Sequence, residues 1–221
     1  MLRRAAAFVA LMFIPAVSGA QEMITRIFEK ATDIAPFFQV STLSSDSNLD
    51  TRASAMLGYG AEILFALKDD AKAPFSVELA LGFNYLTGFR SKNTDIDLRG
   101  SMRTIPELSV YATYQKTGLM EPYVGVHTGL LDLWHVQAYD PESRQYKIDS
   151  ESFQAGVTAG IVVHGMWLEG SYRFRNFPSL DYTTPEGVDA IPSAFPRSMD
   201  LSGFTLRAGY QFSIASTKDK D

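Results

Sequence analysis

Seven charged residues lie on the polar face of alternating, strand-like segments, and their types are the ones in this sequence that could do chemistry. They are Glu62, Glu78, Glu107, Glu169, Arg173, Arg175 and Arg207. Neighbouring carboxylates in a confined space repel each other, and one takes up a proton unless a cation lies nearby. Two interpretations stay open: a gate or proton-sensitive element in a small channel, or a buried charge network with all its groups satisfied. We favour the network.

Other reactive groups give little support for catalysis or metal binding. The three histidines, His127, His135 and His164, do not have the spacing of converging ligands on one face, so each is expected to be solvated or packed. The sequence has no cysteine, which excludes disulfides, thiolate metal sites and a cysteine nucleophile. No Ser/His/acid arrangement is recognisable. We therefore expect no enzyme activity, no metal and no cofactor.

The segments that carry these charges have a period of two from Ile34 onward, which is typical of β-strands. Phe75, Val77, Leu79, Leu81, Phe83 and Tyr85 fall on one face of the third segment, whereas Ser76, Glu78, Ala80, Gly82 and Asn84 fall on the other. Eight strands are predicted, near residues 34–42, 54–67, 74–89, 103–116, 119–135, 151–163, 166–177 and 202–214. Prolines 36, 74, 106 and 122 are expected near strand starts, where a missing N–H is tolerated.

The joins between these strands alternate strictly in length. Short joins at 68–73, 117–118 and 164–165 separate long ones at 43–53, 90–102, 136–150 and 178–201. Outer-membrane barrels show this alternation, with tight periplasmic turns and long outer loops. The sequence therefore predicts an all-β, eight-stranded antiparallel up-and-down transmembrane barrel with both chain ends in the periplasm.

The alternative is a soluble barrel with its apolar face inward, and the composition of the two faces favours the membrane. Glycines interleave with the charges at positions 58, 60, 82, 156, 160 and 209, as a narrow filled lumen requires. The apolar face carries aromatic residues near strand ends, as in membrane girdles. They are Tyr59, Phe65, Phe75, Tyr85, Phe89, Tyr114, Phe174, Phe177, Tyr210 and Phe212.

The regions flanking the barrel divide into three segments. Residues 1–20 read as a signal peptide cleaved after Ala20, with Arg3 and Arg4 before a short apolar run. Residues 21–33 form a periplasmic N-terminal segment, either a short amphipathic helix on the inner leaflet of the outer membrane or a frayed leader. The barrel occupies residues 34–214, and residues 215–221 form a polar periplasmic tail.

The net charge argues against one class of partner. The chain has 20 basic and 25 acidic residues, a balance of −5, and loss of Arg3 and Arg4 leaves 18 against 25, or −7. Nucleic-acid binding needs a clustered basic surface, and no segment after the leader has one. We expect no nucleic acid as partner.

Three stretches carry a resemblance to a known group: residues 105–114, Ile-Pro-Glu-Leu-Ser-Val-Tyr-Ala-Thr-Tyr; residues 121–126, Glu-Pro-Tyr-Val-Gly-Val; and residues 206–212, Leu-Arg-Ala-Gly-Tyr-Gln-Phe. The chain resembles the small outer-membrane barrels of the OmpA-transmembrane, OmpX, OmpW and opacity-protein kind over residues 34–214. Such barrels usually end on an aromatic residue that the insertion machinery reads. Here nine residues follow Phe212.

The resemblance implies a monomer in the outer membrane of a Gram-negative bacterium, with a role in membrane integrity, surface interaction or adhesion. The alternative it implies is a small channel or a lateral-diffusion carrier for hydrophobic compounds. A lipid A-modifying enzyme is a weaker third interpretation. The expected partners are the barrel-insertion machinery, outer-membrane lipids and lipopolysaccharide, whose phosphates suit the guanidinium forks of loop arginines.

Overall fold

A computed structural model of the chain describes residues 31–43, 55–68, 74–92, 96–114 and 119–214. The described residues form twelve β-strands and no helix. The strands are β1 (Asp33–Ser41), β2 (Met56–Lys68), β3 (Phe75–Lys92), β4 (Asp97–Tyr114), β5 (Glu121–Tyr139), β6 (Gln145–Asp149), β7 (Glu151–Val163), β8 (Met166–Phe177), β9 (Asp181–Thr183), β10 (Met199–Asp200), β11 (Gly203–Tyr210) and β12 (Phe212–Ser213).

Eight of the described strands close into an antiparallel barrel, which confirms the predicted fold class. The wall runs in the order β1, β2, β3, β4, β5, β7, β8 and β11, and β1 pairs with β11 to complete the ring. Strand β12 continues β11 beyond Gln211 and pairs with the first residues of β1. Closure leaves no free edge along the wall, so every wall strand has a partner on both sides.

The outer face of the wall is an apolar belt. Large hydrophobic side chains point outward at alternate positions, and Phe38 and Phe153 are 78% and 73% exposed. Aromatic pairs lie near both ends of the belt: Phe75 with Tyr114 at the end with the short turns, and Tyr172 with Phe204 at the other. An apolar surface this continuous is stable in lipid and not in water. The wall therefore spans a membrane.

Register shifts re-aim side chains on four neighbouring wall strands, β2, β3, β4 and β5. Between Thr104 and Glu107, two residues of β4 oppose one residue of β5, so Thr104 and Glu107 both point inward although three positions separate them. Pro106 lies in this bulge in the middle of β4, where its missing N–H breaks no ladder bond. The prediction that Pro106 lies near a strand start was therefore wrong.

The wall is higher on one side, because three predicted long joins contain strands. Strands β3, β4 and β5 continue past the level at which β1 and β2 pair. Beyond that level β6 pairs with β5 and β9 pairs with β6, and these five strands form what we call the upper sheet. The join predicted at 90–102 shrinks to residues 93–96, and 136–150 is largely a β5–β6 hairpin. Residues 178–202 contribute β9 and β10 and otherwise run over the barrel mouth.

Several predicted segments lie outside the described residues. These are the signal peptide at 1–20, most of the segment 21–33 that was predicted as a possible helix, and the tail at 215–221. Of the segment 21–33, residues 31–32 are irregular and Asp33 begins β1. No helix among the described residues is long and apolar enough to cross a membrane.

Candidate functional site

Six buried charged side chains meet inside the barrel, and we call them the charged layer: Glu62, Glu107, Glu169, Arg173, Arg175 and Arg207. Glu107 is at its centre. Its carboxylate accepts hydrogen bonds from Nη1 and Nη2 of Arg173, at 2.9 and 3.0 Å, and from Nη2 of Arg207 at 2.6 Å. Gln154 donates to Oε2 at 2.9 Å, and the amide of Asn84 donates to the same oxygen. The carboxylate is 2% exposed. A buried charge is tolerated when it is paired and hydrogen-bonded in this way.

Arg207 connects Glu107 to the two carboxylates on the lower side of the same layer, Glu62 and Glu169. Its Nη1 lies 3.0 Å from Glu62 Oε1 and 3.7 Å from Glu169 Oε1, and Nε donates to Gln39 at 3.2 Å. The guanidinium also lies over the ring of Phe37, 4.3 Å from its centroid, which adds a cation–π contact. Arg207 therefore joins three strands that are remote in sequence, β1, β2 and β4, to its own.

Arg175 lies at the top of the layer and has neutral acceptors. It donates to Ser41 at 3.0 Å, Thr205 at 3.2 Å and Gln154 at 3.3 Å. All three guanidiniums of the layer have zero exposed side-chain area. An open water path along this level would expose at least one of them, so the described side chains fill the lumen here. Three carboxylates, Glu62, Glu107 and Glu169, match three guanidiniums in formal charge.

The structure places the seven predicted residues at two levels. Six form the charged layer: Glu62, Glu107, Glu169, Arg173, Arg175 and Arg207. Glu78 is half-buried and lines a cavity at the short-turn end together with Glu62 and Glu169. Sequence reasoning missed the neutral members of the layer, Gln39, Asn84 and Gln154, although Asn84 and Gln154 follow the inward alternation of their strands.

The histidines separate into one buried and two exposed residues. His127 is 3% exposed and points into the lumen, with no hydrogen-bond partner for either ring nitrogen among the described residues. His135 and His164 are exposed and have positive φ angles of 54° and 51°. Within the described part of the chain, no three His, Cys, Asp or Glu residues converge as a metal site.

An apolar core, which we call the upper core, fills the barrel above the charged layer. It joins the inner face of the upper sheet to the segment 178–202, and its buried side chains come from both. They are Leu43, Met56, Leu86, Phe89, Ile96, Leu98, Met102, Leu131, Leu133, Val136, Ala138, Tyr146, Ile148, Phe177, Leu180, Phe195, Met199 and Leu201. Tyr146 packs edge-on against Phe195 with ring centroids 4.8 Å apart. The lumen is thus filled at a second level.

Two aromatic residues predicted to face lipid belong to this upper core. Phe89 is 2% exposed because the register shift between Thr87 and Phe89 turns it inward. Phe177 is fully buried because it shares the inward alternation of Arg173 and Arg175 on β8. The other predicted girdle residues are exposed or half-buried on the outer face.

Below the charged layer, large inward side chains lie across glycines of the neighbouring strand. Phe37 pairs in register with Gly60, Tyr123 with Gly160, and Trp167 with Gly209. A Cβ at position 60 would stand 2.3 Å from Phe37 Cζ and 2.3 Å from the Phe83 carbonyl oxygen. Three of the six glycines predicted to line the lumen therefore make the space that these rings occupy.

We expect Gly60→Val to destabilise the barrel by about 1–3 kcal/mol, the usual cost of overpacking. Gly170→Val is the matched control, because Gly170 faces outward and a Cβ there meets nothing within 4 Å. The control should be neutral or slightly stabilising, since valine suits an exposed strand. Urea unfolding of both variants in lipid vesicles measures the difference. Equal stabilities would contradict the packing described here.

The outward face of the upper sheet carries a row of polar and basic residues: Arg90, Arg99, Gln137, Lys147 and Thr183 are successive cross-strand neighbours. Arg90 and Arg99 lie 3.1 and 2.6 Å from the same carboxylate, Asp97. The hydrogen bond from Arg99, reinforced by Arg90 and opposed by burial, lowers the pKa of Asp97 to about 2. Two guanidiniums against one carboxylate leave this trio with a formal charge of +1.

Comparison with known proteins gives a likeness in structure alone. No family model matches the sequence, and no curated protein does. The chain is similar to Ail, the attachment invasion locus protein of Yersinia pestis, with a TM-score of 0.48 and 11% identity over 83% of this chain and 99% of that one. It is similar to OprG of Pseudomonas aeruginosa (TM-score 0.48, 13% identity, 85% and 98% covered). Neisserial surface protein A gives 0.46 and 13%, with 82% and 96% covered.

Proposed function

We propose that the chain is an integral outer-membrane barrel that does not conduct and that serves membrane integrity or surface interaction, including adhesion. The observation that carries the proposal is the filling of the lumen at two levels, by the charged layer and by the upper core. A sealed barrel with a large structured outer part can act through its outer wall and its upper sheet. The proposed orientation puts the short turns and both termini in the periplasm, in a Gram-negative bacterium.

The test is conductance of the purified protein in planar bilayers. We expect no reproducible ion steps, because the three buried guanidiniums leave no water path at their level. A general porin inserted into the same bilayer serves as the positive control. Reproducible steps of constant size would overturn the proposal and favour a small channel, while uptake of hydrophobic compounds by cells expressing it would favour a lateral-diffusion carrier.

Catalysis is not part of the proposal. A general base must lie within hydrogen-bond reach of the group it activates, whereas the nitrogens of His127 have no such partner among the described residues. A mass spectrum of lipid A that changes on expression of the protein would contradict this.

We propose that the protein acts as a monomer after the barrel-insertion machinery has inserted it. For its surface interaction we propose that Arg90 and Arg99 bind lipopolysaccharide phosphates. Both guanidiniums are about half exposed and lie above the apolar belt. Planar guanidinium forks suit phosphate oxygens.

We expect Arg99→Gln to weaken lipopolysaccharide binding several-fold, since it removes one of the two guanidinium forks. Native mass spectrometry of the protein with added lipopolysaccharide measures the bound fraction. Arg197→Gln, which removes an exposed charge from the segment 178–202, should leave binding unchanged. A loss of equal size in both variants would show a nonspecific charge effect and contradict the assignment to the trio.

A further inference from the structure

A cavity of about 30 Å³ lies below the charged layer at the short-turn end of the barrel, and we call it the vestibule. Its lining includes Glu62, Glu78, Glu169, Tyr111, Tyr123 and Trp167; seven of the eight wall strands contribute a described lining residue, and Gln211 between β11 and β12 contributes another. The half-buried residues Glu78, Val162 and Gln211 lie at its open side. This volume holds a group of the size of one or two water molecules.

The charge of the lining is acidic. Among the described lining residues, three are glutamates and none is a lysine or arginine. Arg207 forms the roof, where it pairs with Glu62 at 3.0 Å and approaches Glu169 at 3.7 Å. Arg173 is held by Glu107, on the upper side of that roof. The described lining below Arg207 is therefore acidic.

Glu169 has a buried oxygen that is ready for a further donor. The residue is 1% exposed, and its Oε1 accepts no hydrogen bond from the described residues. Its other oxygen, Oε2, receives one long hydrogen bond, from the Tyr123 hydroxyl at 3.3 Å. A buried carboxylate oxygen without a donor costs free energy. A cationic donor in the vestibule would supply the missing bond.

The walls specify the class of cation. Tyr111 and Tyr123 meet edge-to-face with ring centroids 5.4 Å apart, and Trp167 belongs to the same cluster of buried hydrophobic side chains. Aromatic walls attract organic cations through their ring faces. The described acidic side chains do not converge as a metal site, and the volume is too small for a quaternary ammonium with its methyl groups. An –NH₃⁺ head fits, and its three N–H groups match several acceptors.

We propose that the vestibule binds the ammonium head of a primary amine, with Glu169 Oε1 as the principal acceptor and Tyr111, Tyr123 and Trp167 as its aromatic wall. The rest of the amine extends through the open side. The head group is common to small alkylamines and to lysine side chains of polypeptides, so the shared chemistry is the –NH₃⁺ group itself.

Trp167 reports on occupancy directly, because the chain has two tryptophans and Trp134→Phe leaves Trp167 alone. The folded Trp134→Phe protein in micelles is titrated with methylammonium, 1,4-diaminobutane and a short lysine peptide at constant ionic strength. We expect a saturable fluorescence change with primary amines, and none with tetramethylammonium or sodium. A change with the free amines alone identifies a small-molecule ligand, whereas tighter binding of the peptide identifies a polypeptide source.

Variants test the site itself. Glu169→Gln should weaken binding at least tenfold, whereas Glu151→Gln, an exposed residue at the opposite end of the barrel, should not. Val162→Phe fills the open side without touching the charged layer and should also abolish binding; it keeps the test valid if Glu169→Gln fails to fold. No saturable change with any primary amine, an equal response to tetramethylammonium, or undiminished binding in either variant would overturn the proposal. None of these outcomes depends on conductance.

Discussion

Replacing Glu107 with glutamine is expected to lower the free energy of unfolding by about 3–5 kcal/mol, the usual cost of breaking a buried ion pair. The carboxylate accepts three charge-assisted hydrogen bonds from Arg173 and Arg207. Glutamine keeps the shape of the side chain but loses the charge, so two guanidiniums with no exposed area lose their shared counter-ion. The desolvation of Arg173 is then no longer offset by a carboxylate, while Arg207 keeps Glu62 and Glu169.

The measurement is urea unfolding of the protein folded into lipid vesicles, followed by tryptophan fluorescence. Glu151→Gln is the control, since Glu151 is exposed at the start of β7, and should change stability by less than about 0.5 kcal/mol. The double variant Glu107→Gln/Arg173→Gln should be less destabilised than the sum of its single variants, because both partners act in one network. A loss below about 1 kcal/mol for Glu107→Gln would contradict its central position.

The second large effect is expected at Phe195, which fixes the segment 178–202 over the barrel mouth. Its ring is 2% exposed and packs against Tyr146 and Tyr182, with centroids 4.8 and 5.5 Å away. Phe195→Ala removes about 3–5 kcal/mol of packing. Because the wall strands keep their ladders, the loss falls mainly on this segment, and we expect it to open locally while the barrel stays folded.

Trypsin cleavage after Arg197 measures this opening. The Arg197 side chain is exposed, but its carbonyl oxygen accepts a 2.9 Å hydrogen bond from the Leu180 amide in the closed segment. We expect cleavage to accelerate at least about tenfold in Phe195→Ala, since each 1.4 kcal/mol changes the open population tenfold. Ser193→Ala, an exposed position in the same segment, should cleave at the rate of the unmodified protein. Unchanged cleavage in Phe195→Ala would show that the ring does not hold the segment.

Much of the wall could be predicted from the sequence because lipid outside and a narrow lumen inside impose opposite demands on alternate residues. The strands around Leu79 and Leu206 alternate without interruption, and their inward and outward positions follow directly. Prediction failed at bulges, where one extra residue reverses the alternation. Pro106 and Phe89 were misplaced for that reason.

The upper core could have been anticipated only in part. Val136 and Ala138 alternate with polar residues on one side of Pro141, as do Tyr146 and Ile148 on the other, which is the signal of the β5–β6 hairpin. The segment 178–202 carries no such period, because its strands β9 and β10 are only three and two residues long and its other apolar residues pack singly into the mouth. The neutral partners Gln39 and Gln154 depend on which strands meet across the lumen, which spacing along the chain does not reveal.

The glycine–ring pairs also bear on how the wall chooses its register during assembly. A strand that slips by two residues keeps its apolar face in lipid, so hydrophobicity alone penalises such an error weakly. It would, however, bring Tyr123 off Gly160 onto Thr158 or Val162, and Trp167 off Gly209 onto Arg207 or Gln211, all of which have a side chain. Each pair thus disfavours a shifted register by steric clash. Several such pairs around the ring together select one stagger of the strands and so one barrel diameter.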